Sequence, residues 1–134
     1  RSKTWAHVDW LAADVIGGVV GESRTALRRL PSWARDDDFW VRRTALLAQL
    51  GPLSHEGGDF ELFARLAAPM LGEREFFIRK AIGWVLRETS KKRPDLVSAW
   101  LEPRVQRASG VTMREAVKHL TAGQRARLTR SAGR

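Results

Sequence analysis

An all-α fold of about seven or eight helices, stacked as antiparallel pairs, is what the sequence predicts, and three observations predict it. Apolar residues recur at helical spacing along the chain, and no stretch joins β-branched alternation to a hairpin turn. Gly, Pro and capping residues punctuate the chain at intervals of helix length. Hydrophobic residues make up 43% of 134 residues, enough for one domain with a real core. Short connections favour antiparallel neighbours. An α-solenoid and an ordinary all-α bundle fit this pattern equally well, because no strict repeat period is visible.

The first helix is expected from about Thr4 to Ile16, closing at Gly17 and Gly18. The second runs from about Ser23 to Ala34, disturbed by Pro31. The third follows the acidic run Asp36, Asp37, Asp38 and ends at Gly51 and Pro52, with acid at the positive helix start and Gly-Pro past its end. The fourth spans about Asp59 to Gly72, and the fifth Glu75 to about Lys91. Pro94, suited to a first turn, opens the sixth, which is expected to reach about Arg107. Thr112 with Glu115 has capping-box spacing for the seventh, and Thr121 with Gln124 repeats it for a short basic last helix. The chain opens almost directly into a helix without an initiator methionine, so residues 1–134 are expected to be one all-helical domain, the C-terminal part of a longer array.

Composition narrows the function. There is no cysteine, which excludes disulfides, thiolate metal sites and a cysteine nucleophile. No apolar run approaches the ~18 residues of a membrane span, so a cytoplasmic protein without a membrane partner is expected. Lys and Arg number 24 against 15 Asp and Glu, for a net charge of +9. Residues 101–134 hold 8 basic and 2 acidic residues, so +6 of that charge lies there. Such a surface fits a polyanion, most simply nucleic acid, or a generally basic solubility face.

Three helices carry residues that packing alone leaves unexplained. In "EFFIRKAIGWVLRE", about 100° per residue places Ile78, Ala81, Ile82, Val85 and Leu86 on one apolar stripe and Lys80, Gly83 and Arg87 on the far side. Trp84 falls on the border, with Phe77 toward the core and Lys80 four residues back. Gly83 would let another group approach closely, at a helix cost of about 1 kcal/mol against Ala. On these residues alone, a neighbouring helix covering the indole or Lys80 capping it is the favoured explanation of Trp84. In "TWAHVDWLAADVI", Trp5 and Asp9 are four residues apart on one flank of the stripe Thr4, Val8, Leu11, Val15. A carboxylate against an indole is partly desolvated and suited to stabilising a developing cation, or else to pairing with an arginine of the next helix. In "DFWVRRTALLAQL", Arg43 is framed by Phe39, Leu46, Leu47 and Leu50 and needs an anion, either a phosphate or a buried acid. Arg42 points elsewhere. Trp10, Trp33, Trp40 and Trp100 are read as packing. His7, His55 and His119 lack metal-ligand spacing, no phosphate loop or nucleophile elbow occurs, and neither metal nor cofactor is expected.

The stretches "TWAHVDWLA", "FWVRRTALLAQL" and "EREFFIRKAIGWVLRE", followed by "KKRPDLV" and "TMREAVKHL", resemble the AlkD-like family of alkylpurine DNA glycosylases, built from HEAT-like helical repeats. The resemblance runs from Trp5 to about Leu120 and corresponds to the C-terminal half or so of a family member. It implies a HEAT-like α-solenoid acting as a monomer on double-stranded DNA with alkylated bases. Trp5, Asp9 and Trp84 would line the catalytic cleft. Arg43 would hold DNA backbone beside the lesion, with Lys80 and Arg87 as further DNA contacts. The implied reaction is hydrolysis of the N-glycosidic bond of a cationic alkylpurine, without base flipping. A non-catalytic HEAT-like binder of structured DNA and a helical protein-interaction scaffold are the rival readings.

Overall fold

The computed structural model describes residues 30–50, 53 and 59–133. The expected first helix, with Trp5 and Asp9, lies outside the described residues, as does the start of the second. The fold is all-α: among the described residues there are helices and turns and no strand. Residues 30–34 end the second helix, and Pro31 sits within it. Then come α1 (Phe39–Leu47), α2 (Phe60–Ala67), α3 (Phe76–Ser90), α4 (Pro94–Leu101), α5 (Gly110–Ala116) and α6 (Ala122–Ala132). They pack as antiparallel pairs in the manner of a HEAT-like solenoid, with α3 at the centre against α1, α4 and α5. None of these helices is long and apolar enough to cross a membrane.

Local chemistry sets most boundaries. Asp38 caps α1 by accepting from the Trp40 amide, and Asp59 caps α2 by accepting from the Leu62 amide. Thr121 and Gln124 form the expected reciprocal capping box at α6. Several boundaries differ from expectation: α1 closes at Leu47, short of Gly51, and α2 at Ala67, after which Ala68–Met70 form a 3-10 turn short of Gly72. The sixth predicted helix stops at Leu101, because Pro103 brings no amide to the helical ladder, and the chain tightens into a 3-10 turn over Glu102–Arg104. At α5 the cap is Ser109, whose hydroxyl accepts from the Thr112 amide. Thr112 is one turn inside, fully buried, and its hydroxyl donates to the Arg79 carbonyl of α3 at 3.0 Å.

The core follows the predicted stripe. Ile78, Ala81, Ile82, Val85 and Leu86 of α3 are all 0% exposed, and they meet Leu46 and Leu47 of α1, Phe63 of α2 and Leu101 of α4 in one cluster. Each large side chain so buried contributes about 1.5–3 kcal/mol, which outweighs any surface ion pair. Trp33 and Trp100 cover this core from its rim, as expected.

The far side of α3 is not open at Gly83. A Cβ there would lie 2.8 Å from the Glu115 Cβ, 3.1 Å from the Thr112 carbonyl oxygen and 3.3 Å from the Thr112 Cα. The close approach that Gly83 permits is therefore made by α5, not by an outside molecule. Backbone cannot swing aside as a flexible side chain can. Gly83→Ala is expected to destabilise the fold by about 1–3 kcal/mol despite Ala's better helix propensity. At Gly123, where the nearest atom to an added Cβ is 3.9 Å away, the same change should be neutral or stabilising by up to about 1 kcal/mol. Urea denaturation of the two variants beside the parent checks the pair, and a stabilised Gly83→Ala would refute the packing account.

Candidate nucleic-acid interface

With the core stripe on one side of α3 and α5 on another, one edge is left, carrying Phe77, Lys80, Trp84, Arg87 and Glu88 by helical spacing. Trp84 is half-buried, one side of its indole packed on the core. Lys80, one turn earlier, is exposed and has no ion-pair or hydrogen-bond partner among the described residues. Trp84 thus holds the border position its spacing predicts.

Arg43 comes to this edge from α1. It is 3% exposed; its Nη1 donates to the Phe77 carbonyl, and its guanidinium carbon lies 5.6 Å from the centre of the Phe77 ring. Leu46, Leu47 and Leu50 around it are buried, as the spacing requires. Phe77 belongs to an aromatic group with Trp40 (5.3 Å), Phe39 (6.3 Å) and the half-exposed Phe76 (5.4 Å, edge to face). Trp40 is a packing residue, as expected, but it packs beside Arg43 rather than in the main core. Arg43 is thus fixed on Phe77, seven residues before Trp84 along α3, or about 10 Å of helix rise.

One family model, that of the DNA alkylation repair enzymes, matches residues 1–120. The chain belongs to the DNA alkylation repair enzyme family. Within the family, one solved structure is described as a predicted DNA alkylation repair enzyme from Enterococcus faecalis; it is 32% identical, superposes with a TM-score of 0.76 and is matched over 89% of this chain. The chain covers 54% of that structure's own length, so it spans about half of the solved relative. Comparison with curated proteins gave no match. The family match takes in Trp5, Asp9, Arg43 and Trp84, and it ends before α6.

Arg87 is more engaged than its outward spacing implies. Its Nη1 meets the Glu115 carboxylate at 2.8 Å, and its Nε lies 3.4 Å from Glu88. Lys118 holds Glu115 from the other side at 2.9 Å. The hydrogen bond from Lys118 is the main reason the Glu115 carboxyl sits below its ordinary value; burial opposes it, and the charges of Lys118, Lys80 and Arg87 add to it. Arg42, read as ordinary from sequence, forms a two-point fork on Glu73, with Nε to Oε2 at 3.1 Å and Nη2 to Oε1 at 2.7 Å. Its remaining arm donates to the Asp36 and Asp37 carbonyls. No sequence spacing announces a partner 31 residues away. Among the described residues, no group of His, Cys, Asp or Glu could hold a metal ion.

A lowered carboxyl makes stability depend on pH with a definite sign. The Glu115 contribution is complete above the value of the unfolded carboxyl and is lost as pH falls through the lower folded value. The stability gap between the parent and Glu115→Gln should be widest near neutral pH and should close on acidification. Urea midpoints at several pH values measure it, and a gap that is constant or grows toward acid contradicts the assignment.

Proposed function

We propose that this chain is the catalytic portion of a DNA glycosylase that removes cationic alkylated purines, of the 3-methyladenine and 7-methylguanine type, from duplex DNA. The observation that carries the reading is Trp84: a large indole half-buried on one edge of α3, one turn from the exposed Lys80, in a family of alkylation repair enzymes.

The chemistry asked of such a site is modest. The positive charge of the lesion already weakens the bond from C1′ to the purine nitrogen. That bond breaks with its electron pair leaving on the purine, which becomes neutral. Positive charge develops on the deoxyribose, as in other glycoside hydrolyses. In our reading Asp9 stabilises that charge and orients the water that adds to C1′. Trp5 and Trp84 meet the sugar through their electron-rich faces, which attract positive character. Arg43 takes the phosphate beside the lesion; its near-complete burial means that such a pair would be poorly screened by water. Lys80 adds a free cation next to Trp84, while Arg87 contributes from within its pairing to Glu115. No base-sized pocket is required, so the base need not be flipped and bulky adducts are admissible substrates.

Single-turnover release of 7-methylguanine from methylated duplex DNA, measured with the full-length protein, tests the reading. Asp9→Asn should slow release by on the order of a hundredfold with DNA binding retained. Trp84→Ala should slow it roughly tenfold, the scale of one lost cation–π contact. Unchanged release in Asp9→Asn, with DNA still bound, would remove Asp9 from the mechanism. A parent protein that binds duplex DNA but releases no base would be a non-catalytic binder on the same scaffold.

A further inference from the structure

We propose that the groove between α5 and α6 docks an acidic amphipathic helix of a partner protein, seating its apolar side chains and setting its carboxylates against Arg114 and Arg125. The groove has a volume of about 330 Å³. That is the lower end of the range for ligand sites, about 300–1,000 Å³, and gives room for a few side chains rather than a cofactor. Val105 and Leu128, 8% and 2% exposed, form its floor. Met113 and Val117, both half-buried, wall it on the α5 side. On the α6 side the Thr129 hydroxyl donates to the Arg125 carbonyl at 2.9 Å, which ties up its donor. The helix is a fixed wall rather than a loose tail: its capping box is complete, and Gln124 donates to Asp95 of α4 at 2.7 Å. It lies beyond the residues 1–120 matched to the family, so that match does not account for the groove.

Charge at the groove is of one sign. Among the described residues, two arginines and no acid line it. Their guanidinium groups stand at opposite ends of α5. Arg114 Nη1 lies 3.1 Å from where a Cβ on Gly110 would be, at the first residue of the helix. Arg125 Nη1 donates to the Leu120 carbonyl at 2.9 Å, just past the helix end. Glu115 is the last acid of the sequence, and Arg87 and Lys118 hold it, so the chain has no later carboxylate to offer these arginines. A bare phosphate chain would satisfy the arginines and leave the apolar floor in water. An amphipathic helix with acids flanking its apolar anchors satisfies both. The groove is also apart from the Trp84 edge. Thr112 turns to α3 at Gly83, and Met113 and Val117 lie about 100° and 140° round α5 from it.

Fluorescence anisotropy on the full-length protein tests this with a labelled peptide that carries two leucines one helical turn apart and glutamates on both flanks. The peptide should bind saturably, and its twin with serines in place of the leucines should bind roughly tenfold more weakly, the scale of one buried leucine. Arg114→Gln/Arg125→Gln should weaken binding roughly tenfold and flatten its dependence on salt. Arg127→Gln/Arg130→Gln removes as much charge from α6 outside the groove and should leave binding near the parental value. Ala132→Glu, at an exposed position of the α6 wall, keeps both arginines and should weaken binding several-fold. It covers the case in which losing the Arg125 contact to Leu120 unsettles the first double variant. No saturable binding, equal binding of the two peptides, equal losses in the two double variants, or parental binding in folded Ala132→Glu each overturn the proposal. A duplex that displaces the peptide would give the groove to nucleic acid, and a dimer dispersed by Ala132→Glu would give it to a second copy; either overturns it too. Base release and duplex affinity should be parental in Ala132→Glu, so this proposal and the glycosylase reading fail separately.

Discussion

The contact between α3 and α5 at Gly83 is the constraint on which the rest depends. With no side chain at that position, the Thr112 backbone lies within van der Waals distance of α3. The Thr112 hydroxyl then reaches the Arg79 carbonyl, and Glu115 comes within reach of Arg87. Covering this flank leaves α3 a single narrow edge, and Trp84 stands on it. A glycine that costs helix propensity locally thus determines which part of the most buried helix remains available to a partner.

Charge is organised around the same seam. Glu115 sits among Lys80, Arg87 and Lys118, so one carboxylate moderates three cations that would otherwise repel one another. The result is a basic surface with spacing and order rather than a diffuse positive field. At the first turn of α3, Arg43 is held by the Phe77 carbonyl and lies over the Phe77 ring. The two places use different means, a buried arginine on an aromatic group and a paired network near solvent.

The all-α class, the stripe Ile78, Ala81, Ile82, Val85, Leu86 and the border position of Trp84 were legible because each follows from helical period alone. What covers a face is not periodic information. Spacing put Gly83 and Arg87 on the far side of α3 but was silent about α5, and so Gly83 read as room for a ligand. The cap of α5 was misassigned to Thr112 because Ser109 and Thr112 both suit the role at the sequence level. In the fold Ser109 accepts from the Thr112 amide, and the Thr112 hydroxyl is turned to a tertiary partner, the Arg79 carbonyl. Pro103 is visible in the sequence, but the apolar spacing continues past it to Val105, and period alone does not mark the break. Of the candidate site, Trp84 is half-buried on α3 and Arg43 is fixed on Phe77 of the same helix, while Trp5 and Asp9 lie outside the described residues and rest on sequence and family.

Arg42 and Arg43 are consecutive, yet one grips the turn before α3 and the other the first turn of α3 itself. Two anchors set about 100° apart around α1 restrain both roll and slide, as two pins restrain a plate that one would let swivel. The consequence is mechanical. The α1–α3 pair should behave as a single stiff body, so that relative movement is taken up at the joints between other helix pairs.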